Sequence, residues 1–353
     1  MDGKKITTCL LSVAVIVIAA LNIQNCSSDS PTTNEVSSSS ETQSSIDASS
    51  SSIQDTDDGK PVVYMTNKIT PEGLIAVYES LGLQASGKVA VKLSIGEPAN
   101  KKFFLSPNLI KDLVQRVSGT IVECNTAYGG SRASTAAHRQ VAIDHGFTAI
   151  APVVIMDSAG YDSIPVSVPT STKRLKGWDY VGKAFKDYNF HIVLSHFKGH
   201  QMGGFGGALK NMSIGYASSA GKAWIHTAGR SKTSAFSGGN TQDEFLESMA
   251  EAAKAVADAN KGKILYINVL NNISVDCDCM SQIADPKIQD IGILASLDPV
   301  ALDQASLDLV DKAPNNKDLI DRIKSKNGRH TVEHAELIGL GSRDYKLVEV
   351  VVP

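Results

Sequence analysis

The sequence predicts an α/β protein in which helices flank a mostly parallel sheet. Beyond about residue 60, short β-branched runs alternate with amphipathic stretches, as in repeated strand–helix units. Aromatic residues make up only 6% of the chain and there are 28 glycines, which suits Gly-rich turns in an α/β protein better than an all-β sandwich. The net charge of −3 is spread without a basic stripe, so nucleic acid is not expected as a partner.

The first half of this region alternates between the two kinds of element. Pro71 opens a helix at its first turn, where proline is tolerated, and Gly146 ends a later helix. Such alternation predicts right-handed crossovers between parallel strands. The predicted strands lie at 62–65, 88–94, 120–124 and 149–155, and the predicted helices at 71–83, 107–117 and 132–145.

The second half repeats the alternation without repeating the sequence. Asp298 is predicted to cap a helix that Pro299 opens at its first position. Either one large sheet or two lobes meeting near residue 180 would satisfy this order. The predicted strands lie at 190–195, 263–270, 290–295 and 345–351, and the predicted helical segments at 241–260, 299–310 and 316–340.

The first 26 residues predict an export signal. Lys4 and Lys5 precede an apolar run from Ile6 to Leu21, which is shorter than the roughly 20 apolar residues of a membrane-spanning helix. Cys26 follows this run and looks like the lipid-attachment site of a bacterial lipoprotein. Residues 23–25 are not the small residues usual before such a cysteine, so plain secretion or an uncleaved anchor are the alternatives.

Residues 27–59 are rich in serine and nearly free of apolar side chains. Such a segment cannot bury enough surface to offset its ordering entropy, so it predicts a flexible tether before a domain at 60–353. We therefore expect an exported protein at the cell envelope or outer surface, with membrane contact only through the N-terminal signal or lipid. The oligomeric state has no signature in the sequence.

The densest group of candidate functional residues is the run from Ser195 to Asn211. His196 and His200 are four residues apart, but a predicted strand before them and glycines after them make a shared helix face unlikely. Glycines let backbone N–H groups approach an anion closely, although a tight structural turn is the alternative. The residues predicted to hold a ligand or cofactor are Gly203, Gly204, Gly206, Gly207, Lys210 and Asn211.

A second candidate group contains two cysteines. In a strand-like loop, Cys277 and Cys279 face the same way, so two thiolates could bind a soft metal that Asp276 or Cys124 completes. The alternative is that these are buried, inert thiols. With Cys124, only three cysteines lie beyond the tether, which is too few for a disulfide scaffold.

These segments resemble the bacterial family called domain of unknown function 362. The resemblance covers roughly residues 60–353 and rests on HFKGHQMGGFGGALKN (196–211), CDC (277–279), GILASLDPVALDQASLDL (292–309) and the stretch 132–147. Many members of that family carry an inserted ferredoxin-like segment with C-x-x-C-x-x-C runs. This sequence has no such ferredoxin-type motif, so the family's iron–sulfur electron-transfer role is not carried over to it.

A more distant resemblance is to the nickel-pincer lactate racemase family. His200, Lys210 and His226 reproduce the order of a histidine, a Gly-rich segment ending in lysine, and a later histidine. The resemblance implies that Lys210 attaches a pincer cofactor, that His226 ligates nickel, and that His200 is an acid/base. His196 is a further candidate metal ligand, because neutral imidazoles commonly ligate nickel and zinc.

That family has a Gly-Thr-His-Arg-like stretch where this chain has Gly129-Gly130-Ser131-Arg132. Arg132 is therefore a candidate site residue, and His138 is the candidate replacement for the second acid/base histidine. Racemisation of a 2-hydroxy acid depends on that replacement.

The sequence thus predicts a metal-dependent isomerase or oxidoreductase that transfers a proton or hydride on a small organic acid. One alternative is a metal- or anion-binding module without catalysis. The other is a redox protein in which Cys277 and Cys279 handle thiols or a cluster.

Overall fold

The polypeptide forms one mixed sheet of eight strands with helices on both faces, in a computed structural model that describes residues 59–99, 102–277 and 283–352. The predicted signal, Cys26, nearly all of the tether and Cys279 lie outside these residues. The first elements are β1 (Val62–Thr66), α1 (Pro71–Ser80), β2 (Val89–Lys92), α2 (Pro107–Arg116), β3 (Thr120–Glu123), α3 (Thr135–Asp144), β4 (Val153–Ile155), β5 (Tyr161–Pro165) and β6 (Trp178–Gly182).

The remaining elements alternate in the same way after a two-stranded hairpin. They are β7 (Phe190–His196), β8 (Lys198–His200), β9 (Gly204–Gly206), α4 (Ala208–Tyr216), α5 (Ser219–His226), α6 (Gln242–Ala259), β10 (Ile264–Leu270), β11 (Gly292–Ser296), α7 (Pro299–Lys312), α8 (Lys317–Ser325), α9 (His330–Leu337) and β12 (Lys346–Glu349).

The main sheet has the order β12-β1-β11-β10-β7-β2-β3-β4. Every neighbouring pair is parallel except the two that involve β11, which runs antiparallel to β1 and β10. Strands from both sides of residue 180 share this sheet. The predicted α/β class with a mostly parallel sheet is therefore confirmed.

Two apolar layers cover the sheet, one on each face. Helices α1, α2 and α3 pack on one face around buried residues such as Leu74 and Leu113. Helices α4, α6, α7 and α9 pack on the other face around Leu209, Met249 and Leu302. Within the described part of the chain, no helix is both long enough and apolar enough to cross a bilayer.

The helix starts follow local capping rules. Pro71, Pro107 and Pro299 each stand at the beginning of a helix, where a missing N–H costs nothing. Asp298 caps α7, as predicted, because Oδ1 accepts the N–H groups of Val300 and Ala301 at 2.8 and 3.0 Å. Helix α6 begins with a reciprocal capping box between Thr241 and Glu244.

Several boundaries differ from the sequence prediction. The helix predicted at 132–145 begins only at Thr135, because Ser134 is its cap. The helical segment 316–340 is two helices, since Asn327 adopts a left-handed φ of 49° between α8 and α9. Helices α4 and α5 and the hairpin β5–β6 (residues 161–182) were not predicted.

Candidate functional site

A cavity of about 330 Å³ opens at the carboxyl edge of the sheet. Strands β2, β3 and β7 are mutually parallel neighbours and end there, at Lys92, Glu123 and His196. Open parallel sheets bind ligands beyond the carboxyl ends of their strands. The cavity therefore lies where the topology favours a ligand.

The two loops singled out in the sequence both line this cavity. The chain leaves β7, folds back through the short β8–β9 hairpin, and enters α4 directly. His200 and Lys210 from this segment line the same cavity as Cys277 from the other loop. The hairpin is held against that loop by a hydrogen bond from Gly199 N to Ser274 O at 2.7 Å.

Glycine at position 199 is required by this contact. A Cβ there would lie 2.0 Å from the carbonyl oxygen of Val275, which is backbone and cannot move aside alone. We expect Gly199→Ala to lower the free energy of unfolding by about 1–3 kcal/mol, the usual cost of overpacking. Gly129→Ala is the matched control, because no atom lies within 4 Å of its Cβ position. Urea denaturation of both variants tests this, and equal stabilities would contradict it.

The amino terminus of α4 is already occupied by a protein carboxylate. Asp303 on α7 is fully buried, and its two oxygens accept the N–H groups of Ala208 and Leu209 at 2.8 and 2.9 Å. Asn268 Nδ2 donates to the same carboxylate at 2.8 Å. A Cβ on Gly207 would lie 2.3 Å from Asp303 Oδ1. These backbone groups therefore bind Asp303 and are not available to an external anion.

The four predicted ligand glycines divide into two pairs. Gly206 and Gly207 line the cavity, and Gly206 leaves room for the stem of Lys210, whose Cδ would lie 3.4 Å from an added Cβ. Gly203 and Gly204 lie outside the lining. Gly204 adopts φ +78° and packs against the backbone of Gly328, so its role in this structure is close packing.

His200 is held as a hydrogen-bond donor toward the cavity. Its Nδ1 accepts the backbone N–H groups of Met202 and Gly203 at 3.2 and 2.9 Å. The neutral ring must then carry its proton on Nε2, which leaves that atom to donate to the Cys277 thiol. Burial lowers the pKa of His200 from its usual value, with Lys210 as a second cause, so the neutral form is favoured.

His226 is held in the opposite tautomer. Its Nδ1 lies 2.7 Å from the carbonyl oxygen of Lys222 and donates to it, so Nε2 keeps a lone pair. The ring stacks on Phe245 at a centroid distance of 4.9 Å and lines the cavity. Burial lowers the pKa of His226 to about 4, so the ring is neutral at pH 7. A neutral imidazole fixed through its other nitrogen is typical of metal-ligating histidine.

Lys210 lies close enough to both histidines to act on their protonation. Its charge contributes to lowering the pKa of His200 and of His226. The three residues that the sequence placed in one pattern are therefore brought together around one cavity, with the half-buried Lys210 acting on both rings.

A buried ion pair, missed by the sequence analysis, forms one wall. Lys92 and Glu123 are both buried, with Nζ and Oε2 3.7 Å apart. Lys92 Nζ also donates to Asn211 Oδ1 at 3.0 Å, and Asn211 Nδ2 donates to Ser195 Oγ at 3.1 Å. Asn211, a predicted ligand residue, thus ties α4 to the ends of β2 and β7. The sequence feature that could have revealed this pair is a charged residue at the last position of each of the buried strands β2 and β3.

Positive charge predominates around the cavity. Glu123 is the only carboxylate among the described lining residues. Lys92 pairs with Glu123, Arg132 Nε donates to Glu97 Oε1 at 2.8 Å, and Lys222 Nζ donates to Ala217 O at 2.5 Å. The five cationic side chains of the lining are Lys92, Arg132, Lys198, Lys210 and Lys222.

Other predicted site residues have different surroundings. His138 is fully buried outside the lining, with Nδ1 3.3 Å from Asn125 Oδ1, and burial lowers its pKa to about 4. His196 lines the cavity, but its nitrogens face the carbonyl oxygens of Phe103 and Asn271 at 3.1 and 2.5 Å. Neither nitrogen of His196 is available to a metal in this arrangement.

Cys124 and Asp276, the groups predicted to complete a metal site with Cys277, both have other contacts. The Cys124 thiol donates to Tyr216 O at 3.3 Å, and burial raises its pKa to about 12, so it is a thiol at neutral pH. The carboxylate of Asp276 pairs with Arg322. Each of these two groups therefore has another partner in this structure.

The comparisons with known proteins identify a family. The family model described as domain of unknown function (DUF362) matches residues 89–308. No curated protein matches the chain. Two solved structures resemble it in chain trace: a lactate racemase apoprotein from Thermoanaerobacterium thermosaccharolyticum, at 13% identity and a TM-score of 0.40, and a Thermotoga maritima protein, at 12% identity and a TM-score of 0.40.

The matches with these two structures cover 70% and 77% of this chain, respectively. They cover 56% of the racemase chain and 59% of the Thermotoga chain, so this protein spans less than two thirds of either.

Proposed function

This chain belongs to the DUF362 family, and on that premise we propose that it is an enzyme acting on a small organic anion in the cavity at the carboxyl edge of the sheet. The observation that carries the proposal is the composition of the lining, in which five cationic side chains face one carboxylate. A concave site lined by charges of one sign focuses the electrostatic potential and raises the local concentration of anions. A volume of about 330 Å³ suits a small molecule.

The chemistry we propose is proton or hydride transfer assisted by a metal or a metal-bearing cofactor. His226 fits a ligand role, because its Nδ1–H is fixed on Lys222 O and its Nε2 lone pair is available. Lys210 fits an anchor role, because it lies in the first turn of α4 and lines the same cavity as the two histidines on whose pKa it acts. When bound, a nickel-pincer group of the kind implied by the sequence resemblance would supply an electron-accepting centre.

The remaining residues would bind and orient the substrate. His200 Nε2–H donates to the Cys277 thiol, and a substrate oxygen could replace that thiol as the acceptor. Lys92 and Lys222 would supply positive potential toward a carboxylate, with Glu123 keeping Lys92 in place. Nδ1 of His200 accepts two backbone N–H groups, so the proton of the neutral ring stays on Nε2. His200 would therefore donate a hydrogen bond to the substrate more readily than it would take a proton from it.

The test uses protein purified from its own host. It measures metal content, intact mass, binding of 2-hydroxy acids by calorimetry, and turnover of the acids that bind. We expect a metal and a small-anion affinity in the wild type. His226→Gln should lose the metal, whereas His200→Gln should keep the metal and lose turnover, since a ligand is needed for occupancy and a donor for the reaction.

Two outcomes would contradict the proposal. Wild-type protein without metal, mass adduct or anion binding would remove the cavity as a functional site. Anion binding without turnover of any bound acid would instead identify a binding module, which uses the same cationic lining without catalysis.

A further inference from the structure

A second group of ligand-type side chains lies away from the cavity, where α6 packs on α9. Glu247 projects from α6, and His330 and His334 lie one turn apart on α9. One donor atom from each of the three lies within 4.8 Å of the other two. Within residues 59–99, 102–277 and 283–352, no other group of three histidine, cysteine or acidic side chains meets this criterion.

One ring nitrogen of His334 has no hydrogen-bond partner among the described residues. His334 is 3% exposed, and its Nε2 is buried without a hydrogen bond to any described residue. An orphan polar atom of this kind costs free energy unless something binds it.

The other two donors already face each other. His330 Nε2 lies 3.0 Å from Glu247 Oε1, so the proton on Nε2 is donated to the carboxylate in a hydrogen bond. The side chain of His330 is 25% exposed, and an open surface depression is lined by His330, Glu333 and His334. A solvated ion therefore has access to the group from outside.

A supporting shell surrounds these donors. Arg174 Nε binds the second oxygen of Glu247, which leaves Oε1 directed at His330. Glu333 Oε2 lies 3.7 Å from His330 Nδ1 on the far side of the ring. Carboxylates behind ligating histidines, and hydrogen bonds behind ligating carboxylates, fix ligand orientation in metal sites.

We propose that Glu247, His330 and His334 form a binding site for a divalent transition metal of the zinc class, independent of the cavity. Two imidazoles and one carboxylate are a familiar ligand set for zinc, with water in the fourth position. On binding, the metal takes the place of the proton between His330 Nε2 and Glu247 Oε1. That proton moves by way of solvent to His330 Nδ1, which faces Glu333.

The metal would join two helices that are distant in sequence. Glu247 and His330 are 83 residues apart, and only the packing of α6 on α9 brings them together. Because the unfolded chain lacks this arrangement, metal binding would stabilise the native state by mass action. The melting temperature should therefore rise with the free metal concentration once that concentration exceeds the dissociation constant.

The experiment is calorimetric titration of the metal-depleted full chain with Zn²⁺, followed by Co²⁺ substitution read by visible absorption. Four variants are compared with the wild type: Glu247→Gln, His330→Gln, His334→Gln and, as a surface control on the same helix, Glu336→Gln. His226→Gln separates this site from any metal in the cavity.

We expect Glu247→Gln, His330→Gln and His334→Gln each to weaken one Zn²⁺ site by more than about 100-fold, since each loses a direct ligand. Glu336→Gln and His226→Gln should retain that site, and Zn²⁺ should raise the melting temperature only in variants that retain it. If His334→Gln unfolds, the more exposed His330→Gln decides. The proposal is overturned if wild-type protein binds no Zn²⁺ here, or if the three ligand variants bind it as the wild type does.

Discussion

Lys210→Met should weaken anion binding in the cavity while leaving the fold intact. The substitution keeps the length of the side chain but removes the charge that lies beside both His200 and His226. Since a hydrogen bond to a charged group contributes about 1.5–3 kcal/mol, binding of a 2-hydroxy acid should weaken by roughly 10- to 100-fold. If Lys210 also anchors a cofactor, the mass adduct should disappear.

The free energy of unfolding shows whether Lys210→Met loses anion binding at the site or through a loss of folding. Lys210 is half-buried and gives its neighbours little apolar contact that methionine cannot replace, so the free energy of unfolding should change by no more than about 0.5 kcal/mol. Lys261→Met, an exposed position after α6, is the matched control. Unchanged anion affinity and mass in Lys210→Met would remove Lys210 from the site and leave the Gly-rich segment a structural turn.

Asp303→Ala should cause a large loss of stability. The carboxylate accepts the N–H groups of Ala208 and Leu209 and the amide of Asn268, all of them buried. Each donor left without a partner costs about 1–3 kcal/mol, so we expect the free energy of unfolding to fall by about 3 kcal/mol or more. Helix α4 carries Lys210 and Asn211, so ligand binding should be lost with it.

Asp311→Ala on the same helix is the control. Asp311 forms a surface ion pair with Arg329, and such pairs contribute about 0–1 kcal/mol. Chemical denaturation of the two variants should therefore separate them clearly. If Asp303→Ala and Asp311→Ala were equally stable, the capping of α4 across the core would not contribute to stability.

The same carboxylate predicts a dependence on pH. Burial raises the pKa of Asp303 to about 6, above the value of about 3.9 in the unfolded chain, so the native state binds this proton more tightly. The contribution to stability is therefore fully present below about pH 3.9 and is lost as pH rises through about 6. Subtracting the pH profile of Asp303→Asn from that of the wild type should isolate this change, and a flat difference would contradict it.

The sequence predicted elements well where one local rule decides them. Proline after a capping residue marks the starts of α1, α2 and α7, and β-branched runs mark β7 and β10. Helices α4 and α5 were missed because glycines and serines at their starts are typical of a loop. Asp303 on α7 caps α4 across the core, and sequence spacing gives no sign of that partner.

The candidate site was predictable only in part for a similar reason. The pattern of His200, Lys210 and His226 falls within 27 residues, and the structure brings all three to one cavity. Lys92 and Glu123 come from strands that had been interpreted only as sheet, although a charge ending a buried strand indicated a polar edge. Glu247 and His330 share no local pattern at all, because only tertiary packing relates them.

The position of β1 has a consequence for how the chain folds. This first strand pairs with β11 and β12, with Val63 opposite Ser296 and Val62 opposite Lys346. Its partners therefore lie more than 200 residues later in the chain (Ser296 is 234 residues after Val62), and closing so long a loop is entropically slow. Strands β2, β3 and β4 can assemble early, whereas β1 must wait unpaired. Until β11 and β12 are available, the edges of the strands that have already formed stay exposed, and these edges are where a chaperone would bind.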